Sequence, residues 1–176
     1  LSFDKKIGGI SKMIELSTLA MTAKVNNINL FLLKNTNTSE KLIKKFHNSK
    51  RVKVYQFTNI EKILFKMSII KSKFYKKLFS SDVIFIHNVN LAKPLRKVFN
   101  EKLLVLFFHT DKQKQIKKLM YVNRVFAVNS YTKDIINKIY KNKATLLPNC
   151  LEIKNKKKFS KIKNNKLVVG AMGRLV

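Results

Sequence analysis

Two apolar runs that each end in a histidine indicate the fold class. They read DVIFIHN at residues 82–88 and KLLVLFFHT at residues 102–110. Each run has the length of a β-strand and is rich in the branched and aromatic residues that strands favour. A continuous apolar run, rather than an alternating one, is typical of a strand covered on both faces of a parallel sheet. We therefore predict buried strands at residues 82–86 and 102–108, each followed directly by polar residues.

Similar runs alternate with helical patterns along the chain. The other predicted strands lie at residues 28–33, 51–57, 124–128, 144–147 and 167–172. Strands separated by helical segments are typical of βαβ units. The predicted fold class is therefore α/β, a Rossmann-like parallel sheet with helices on both faces. Because such a chain normally begins with a strand, a first strand before Gly8-Gly9 is expected to be missing from these residues.

The segments between the strands carry helix signals. Apolar residues recur with helical spacing from Ile10 onward, and Asn37 offers an N-cap, with Glu40 as its partner, for the next helix. Thr58 begins a capping box, and Ser130 can cap a later helix. The segment after Thr58 carries one apolar stripe, which predicts a long amphipathic helix: Ile60, Ile63, Leu64, Met67, Ile70, Phe74 and Leu78.

The charge of the chain is its most unusual property. It has 38 basic and 9 acidic residues, a net charge of +29, which would attract nucleic acid or an anionic membrane surface. Only four of the basic residues are arginines, and Lys, Asn and Ile are all encoded by A/T-rich codons, so genome composition explains much of this charge. The lysines are spread along the chain, and only residues 154–163 form a dense cluster. Nucleic acid is therefore not expected as a partner, whereas peripheral contact with an anionic membrane is.

Composition also limits where the protein acts. No apolar run approaches the roughly 18 residues that span a bilayer. The single cysteine, Cys150, excludes an internal disulfide framework and fits a reducing compartment. We expect a cytoplasmic protein, at the inner face of the membrane if it contacts one.

Polar residues recur where the predicted strands end. His87 and Asn88 follow one strand, His109 and Thr110 the next, and Asn149 follows the last strand of the first domain, while Asn129 and Ser130 follow the strand between. In open parallel sheets ligands bind at the carboxyl ends of the strands. Each of these residues alone could instead be a helix cap or a packing residue. His47 is predicted to be a surface residue.

Two glycine-containing turns are candidates for anion binding. Gly8-Gly9 precedes a helix, and Gly173-Arg174 repeats the arrangement with a guanidinium added. Backbone N–H groups can approach an anion closely at such a turn, and a helix N-terminus favours negative charge. A plain tight turn is the alternative for Gly8-Gly9.

Several other kinds of catalytic or binding site are excluded because their sequence motifs are absent. The chain has no G-x-S-x-G elbow, no P-loop, no G-x-G-x-x-G and no H-E-x-x-H. Its three histidines lack metal-ligand spacing. Cys150 and His109 could form a thiol–imidazole pair, but nothing in the sequence places them together.

With these residues identified, the chain resembles the GT-B fold glycosyltransferases of family GT4. Four segments match in order: the glycine turn at 7–10, the strand at 82–88, the run from Val125 to Ser130 continuing to Pro148-Asn149, and the strand ending in Gly173-Arg174. Two positions depart from the family pattern. Asn26-Asn27 stands where the family has Gly-His, and Cys150 stands where it has a glycine.

The resemblance implies a domain organisation and a reaction. Residues 1–150 would form the acceptor-side domain without its first strand, residues 151–165 a basic linker, and residues 166–176 the start of a donor-binding domain. The reaction would be retaining transfer of a sugar from a nucleotide-sugar to a cell-surface glycan or lipid-linked acceptor, as in polysaccharide biosynthesis. No cofactor and no obligatory metal would be needed. These residues alone are expected to be inactive because half of the cleft would be absent.

The resemblance also assigns roles to individual residues. His109 would be the catalytic-site histidine beside the transferred sugar, and His87, Asn88 and Asn149 would position the acceptor or sugar. Gly8, Gly9 and Arg174 would bind the donor diphosphate, whose developing negative charge needs preorganised donors.

Two alternatives from other classes stay open. One is a different GT-B enzyme, such as a sugar epimerase, because fold does not fix reaction. The other is a non-enzymatic, basic α/β domain that binds nucleic acid, which only the charge supports.

Overall fold

The computed structural model describes residues 9–67, 73–110 and 112–149 as strands alternating with helices. The strands are β1 (Ile28–Leu33), β2 (Val52–Phe57), β3 (Val83–Ile86), β4 (Leu103–Phe108), β5 (Arg124–Ala127) and β6 (Ala144–Leu146). The helices are α1 (Gly9–Thr22), α2 (Asn37–Phe46), α3 (Asn59–Lys66), α4 (Lys73–Phe79), α5 (Ala92–Val98), α6 (Gln113–Ile116) and α7 (Ser130–Ile139). Short 3₁₀ turns at Val89–Leu91 and Lys117–Tyr121 precede α5 and follow α6.

All strand pairs in the described residues are parallel. β1 pairs with β2, and β3, β4, β5 and β6 form a second ladder in that order. The strands therefore point the same way within each ladder, and their carboxyl ends share an edge. The predicted α/β class with parallel sheets is confirmed.

The apolar runs form two core clusters because β1 is buried on both faces. Phe31 and Leu33 belong to the larger cluster, which continues through β3, β4 and β5. Leu30 and Leu32 belong to the smaller cluster, which packs α1 and α2 against β1 and β2. The larger cluster contains residues of both ladders, so the two ladders share one hydrophobic core.

A buried carboxylate connects α1 to α2. The side chain of Glu15 is only 5% exposed, and its oxygens lie 3.2 Å from Lys12 Nζ and 3.0 Å from Lys41 Nζ. Burial alone would raise the pKa of Glu15, but hydrogen bonds from Lys41 and Lys12 hold it below its ordinary value of 4.5. The negative charge is thus part of the packing between the two helices.

The guanidinium of Arg96 on α5 lies at the edge of the sheet where β4 begins. It donates to the carbonyl oxygens of Tyr121 (3.0 Å) and Asn100 (2.6 Å) and to the side chain of Asn123. Asn123 in turn accepts the N–H of Leu104 at 2.8 Å. One side chain therefore fixes α5, the entry to β4 and the turn before β5.

Two predicted helix caps are wrong by one residue. Thr36, not Asn37, caps α2, and it exchanges hydrogen bonds with Ser39 rather than with Glu40. Asn129, not Ser130, caps α7 by accepting the N–H of Thr132 at 2.8 Å. In both cases the residue that is still in extended backbone takes the cap, as the geometry of a helix start requires.

The predicted long helix after Thr58 is also wrong in part. The capping box of Thr58 and Glu61 is present, but α3 ends at Lys66 and α4 begins separately at Lys73. Three members of the apolar stripe face solvent, with Ile60 71%, Ile63 57% and Met67 65% exposed. Phe65 is buried in their place, because it packs against the rings of Phe57 and Tyr75.

Several predictions lie outside the described residues. These are the missing first strand, the linker at 151–165, the strand at 167–172, and the residues Gly8, Ile70, Cys150 and Arg174. None of the described helices combines the length and apolar character needed to cross a bilayer.

Candidate active site

The structure brings two of the predicted site residues together at the carboxyl ends of β3 and β4. His87 follows β3 and His109 follows β4, and these two strands are paired. Nδ1 of His87 lies 3.4 Å from Nε2 of His109, and the two rings are nearly parallel, with their planes 15° apart. One ring nitrogen must donate and the other accept, so the tautomer of each histidine fixes that of its neighbour.

A phenylalanine holds the pair in place from the sheet side. The ring of His87 stacks on Phe107 with 4.5 Å between centroids and 5° between planes. Phe107 also contacts Phe85 and Phe126 on the flanking strands, at 5.8 Å and 5.2 Å between centroids. These rings form an aromatic layer across β3, β4 and β5, and the histidines extend this layer to the edge of the sheet.

The two histidines differ in their contact with solvent, and this difference suggests separate roles. His87 is 9% exposed, and its burial holds its pKa well below 6.5, with the nearby His109 lowering it further. The ring is therefore neutral at physiological pH and can use one nitrogen on His109. His109 is only partly buried, so it is the member of the pair that a ligand can reach. We assign His87 as the residue that orients His109.

The amide oxygens of the asparagines at these strand ends accept hydrogen bonds from backbone N–H groups. Asn88 accepts the N–H of Asn90 at 3.0 Å and thereby caps the 3₁₀ turn before α5. Asn129 caps α7, as described above. A role for Asn88 in positioning an acceptor would therefore use its NH₂ group or the second lone pair of its oxygen.

The remaining predicted residues are less informative. Asn149 is exposed beyond the end of β6, and Thr110 accepts the N–H of Lys112 at 3.2 Å. Gly9 is the exposed first residue of α1, and a Cβ added there would meet nothing within 4 Å. The need for glycine at position 9 is therefore not steric within the described chain. Gly8 and Arg174 lie outside the described residues.

A cavity at the ends of β1 and β2 was not anticipated from the sequence. It has a volume of about 500 Å³, and its lining comes from the two strand ends and the helix starts that follow them: Leu33, Lys34, Asn35, Thr36, Asn37, Thr58 and Asn59. Thr36 and Thr58 both cap helices, and Asn35 has a φ of 55°, a left-handed conformation that asparagine tolerates. The sequence did carry a signal for this cavity. Twice in the chain, a strand is followed within three residues by a helix that a threonine caps.

The third histidine, His47, directly follows α2. His47 is exposed and lies 2.8 Å from Asn48 through Nδ1, which confirms its prediction as a surface residue. Within residues 9–67, 73–110 and 112–149, no cluster of three or more His, Cys, Asp or Glu side chains could hold a metal ion.

Comparison with known proteins adds no further constraint. A scan against models of protein families found no match, and neither did searches of curated proteins and of solved structures. The chemistry of the strand ends is therefore the basis for assigning a function.

Proposed function

We propose that this chain forms the acceptor-side domain of a retaining GT-B glycosyltransferase that takes a nucleotide-sugar as donor. The observation that carries the proposal is the contact between His109 and the buried His87 at the carboxyl ends of adjacent parallel strands. Ligands of open parallel sheets bind at this edge. A sugar presents hydroxyl groups, which both donate and accept hydrogen bonds, and a neutral imidazole can meet either need.

In this proposal His109 is the residue that contacts the sugar. Its ring is held by His87, which is itself fixed on Phe107 at 4.5 Å. A ligand group is therefore met by a side chain that needs little reorganisation on binding. Because burial keeps His87 neutral, this ring adds no charge behind His109.

The donor diphosphate would be bound by groups near the start of α1. Gly9 begins this 14-residue helix and is exposed, and the amino end of a helix favours an anion. Gly8 and Arg174 would complete the site, and negative charge developing on the leaving phosphate is what such donors stabilise. The acceptor would be a glycan or a lipid-linked glycan.

The arrangement of the two ladders supports the same fold. Within the described residues, no ladder joins β1 to β3, although both strands contribute to the larger core cluster. A parallel strand between them, preceding α1 in the chain, would make a single Rossmann-like sheet. The right-handed crossover through α1 into β1 would then follow the usual rule for βαβ units.

The proposal is tested by expressing this chain with its adjoining coding sequence and assaying transfer. Radiolabelled sugar from a panel of nucleotide-sugars would be followed into lipid-extractable and polymeric glycan. We expect His109→Ala to lower the transfer rate at least about a hundredfold, the scale on which a positioned catalytic side chain acts. The exposed histidine provides the matched control, and His47→Ala should retain wild-type activity.

Other outcomes would assign the chain elsewhere. Conversion of the nucleotide-sugar to an isomer, without transfer, would indicate an epimerase. Equal activity of His109→Ala and wild type would remove the histidine pair from the mechanism. No response to any nucleotide-sugar, together with tight and steeply salt-dependent binding to nucleic acid, would favour the non-enzymatic alternative.

A further inference from the structure

The outward face of α3 carries large apolar side chains that no described element covers. Ile60, Ile63 and Met67 are 71%, 57% and 65% exposed. Their spacing of three and then four residues places them on one face of the helix. Single exposed apolar residues are ordinary on protein surfaces, but a contiguous stripe marks an interaction surface. The name "outer stripe" is used below for these three residues.

The orientation of α3 is fixed from its other side. Phe65 is 1% exposed and stacks with Tyr75 of α4 at 5.4 Å between ring centroids, while its edge meets Phe57 of β2 at 5.6 Å. Rotating the helix to bury the outer stripe would withdraw Phe65 from this aromatic cluster. The exposure of the stripe is therefore a consequence of how the core is packed.

The charge around the stripe selects its partner. Helices α3 and α4 together contain five lysines and one glutamate, and Lys76 and Lys77 of α4 are exposed. Protein interfaces are enriched in arginine and depleted in lysine, whereas an anionic bilayer attracts lysine through net charge alone. A helix with an exposed apolar face in a lysine-rich setting has the composition of an interfacial membrane helix.

We propose that the α3–α4 surface docks this domain on an anionic lipid bilayer, with the outer stripe inserted among the acyl chains and the lysines at the headgroups. This inference does not rest on the proposed glycosyltransferase function. Each lysine near the surface should strengthen partitioning about fivefold. Removing the three apolar side chains should weaken it at least about tenfold, because their burial from water is lost.

The test is co-sedimentation of the 176-residue chain with lipid vesicles. Vesicles of phosphatidylcholine alone would be compared with vesicles containing about one third phosphatidylglycerol. The stripe variant is Ile60→Ser/Ile63→Ser/Met67→Ser, and the matched control is Val25→Ser/Met120→Ser/Ile139→Ser. The control removes exposed apolar side chains of 41%, 62% and 59% exposure from other elements.

A second pair of variants tests the electrostatic half of the proposal. Lys76→Glu/Lys77→Glu reverses two charges on α4, and Lys97→Glu/Lys138→Glu makes the same change in net charge on α5 and α7. All four lysines are exposed, so folding should be retained in both variants. The α4 variant should bind anionic vesicles several-fold more weakly than its control.

The proposal is supported if the chain binds anionic but not neutral vesicles, and if the stripe and α4 variants lose more binding than their controls. It is overturned if wild type does not bind, or if each variant and its control lose the same amount, since binding would then be due to net charge alone. Self-association that the stripe variant abolishes, without vesicle binding, would also overturn it and assign the stripe to a second copy of the chain.

Discussion

The buried ring of His87 should make the stability of the domain depend on pH in a range where few side chains titrate. The folded chain keeps this ring neutral because burial holds its pKa well below 6.5, whereas the unfolded chain takes up a proton near pH 6.5. The contribution is therefore fully present above pH 6.5 and is lost as the pH falls below that value. Between about pH 7.5 and pH 5.5 the expected loss is about 1.4 kcal/mol, because the unfolded chain gains one pH unit of proton binding that the folded chain does not.

Urea unfolding curves at the two pH values would measure this loss. His87→Phe keeps an aromatic ring over Phe107 but cannot bind a proton, and His47→Gln removes an exposed histidine as the control. On acidification, wild type and the His47 variant should each lose about 1.4 kcal/mol more than the His87 variant. His109 is present in all three proteins, so the difference reports the ring of His87 together with its contact with His109. Equal losses in wild type and His87→Phe would refute the reasoning.

Three further predictions concern stability and are measured by the same unfolding curves. Glu15→Gln should cost about 1 kcal/mol, since it removes the charge that Lys41 and Lys12 bind; as the pKa of Glu15 is lowered, its contribution is present above pH 4.5 and should fade in wild type, but not in the variant, as the pH falls below that value. Arg96→Met should cost about 3 kcal/mol, because several carbonyl groups lose a charged donor together, and a cost below about 1 kcal/mol would contradict the bracing role. Asn129→Ala should cost about 1 kcal/mol through loss of the α7 cap, while Ser130→Ala should be nearly neutral; the reverse order would assign the cap to the serine.

The strands were predictable because burial on both faces leaves a strong local signal. All six described strands coincide with predicted runs to within two residues at either end, as at β4, where the run 102–108 became Leu103–Phe108. The helix caps were less predictable. Thr36 and Asn37 are adjacent and both have capping side chains, as do Asn129 and Ser130. The choice between them depends on where the backbone leaves the extended region, which neighbouring strands decide.

The candidate site was predictable in place but not in detail. Polar residues after apolar runs identified His87 and His109, since strand ends follow directly from strand assignment. Their 3.4 Å separation required the knowledge that β3 and β4 are neighbours. The sequence also could not show that the oxygen of Asn88 is used by the Asn90 N–H. Both facts depend on tertiary structure, because a polar side chain in a loop can bind a ligand or its own backbone equally well.

The orientation of α3 was also not predictable from its sequence. An apolar spacing of three and four residues establishes that one face of the helix is apolar, but not which way that face points. In α3 the aromatic contacts of Phe65 outweigh burial of Ile60, Ile63 and Met67, so the stripe faces solvent. A conflict between pattern and packing of this kind is expected where a surface has a function beyond folding.

The charge of the chain and its histidine pair would act at different ranges on a ligand that has both anionic and hydroxyl groups. A net charge of +29 raises the local concentration of anions over a distance of about 10 Å at ordinary salt, without selecting one orientation. The His87–His109 pair acts only within hydrogen-bond distance, where it can bind individual hydroxyl groups. A nucleotide-sugar would be drawn by the first property through its diphosphate and oriented by the second through its sugar. Under the proposed function, raising the salt concentration should therefore weaken substrate capture, whereas removing His109 should slow the transfer step, and kinetic measurements would separate the two effects.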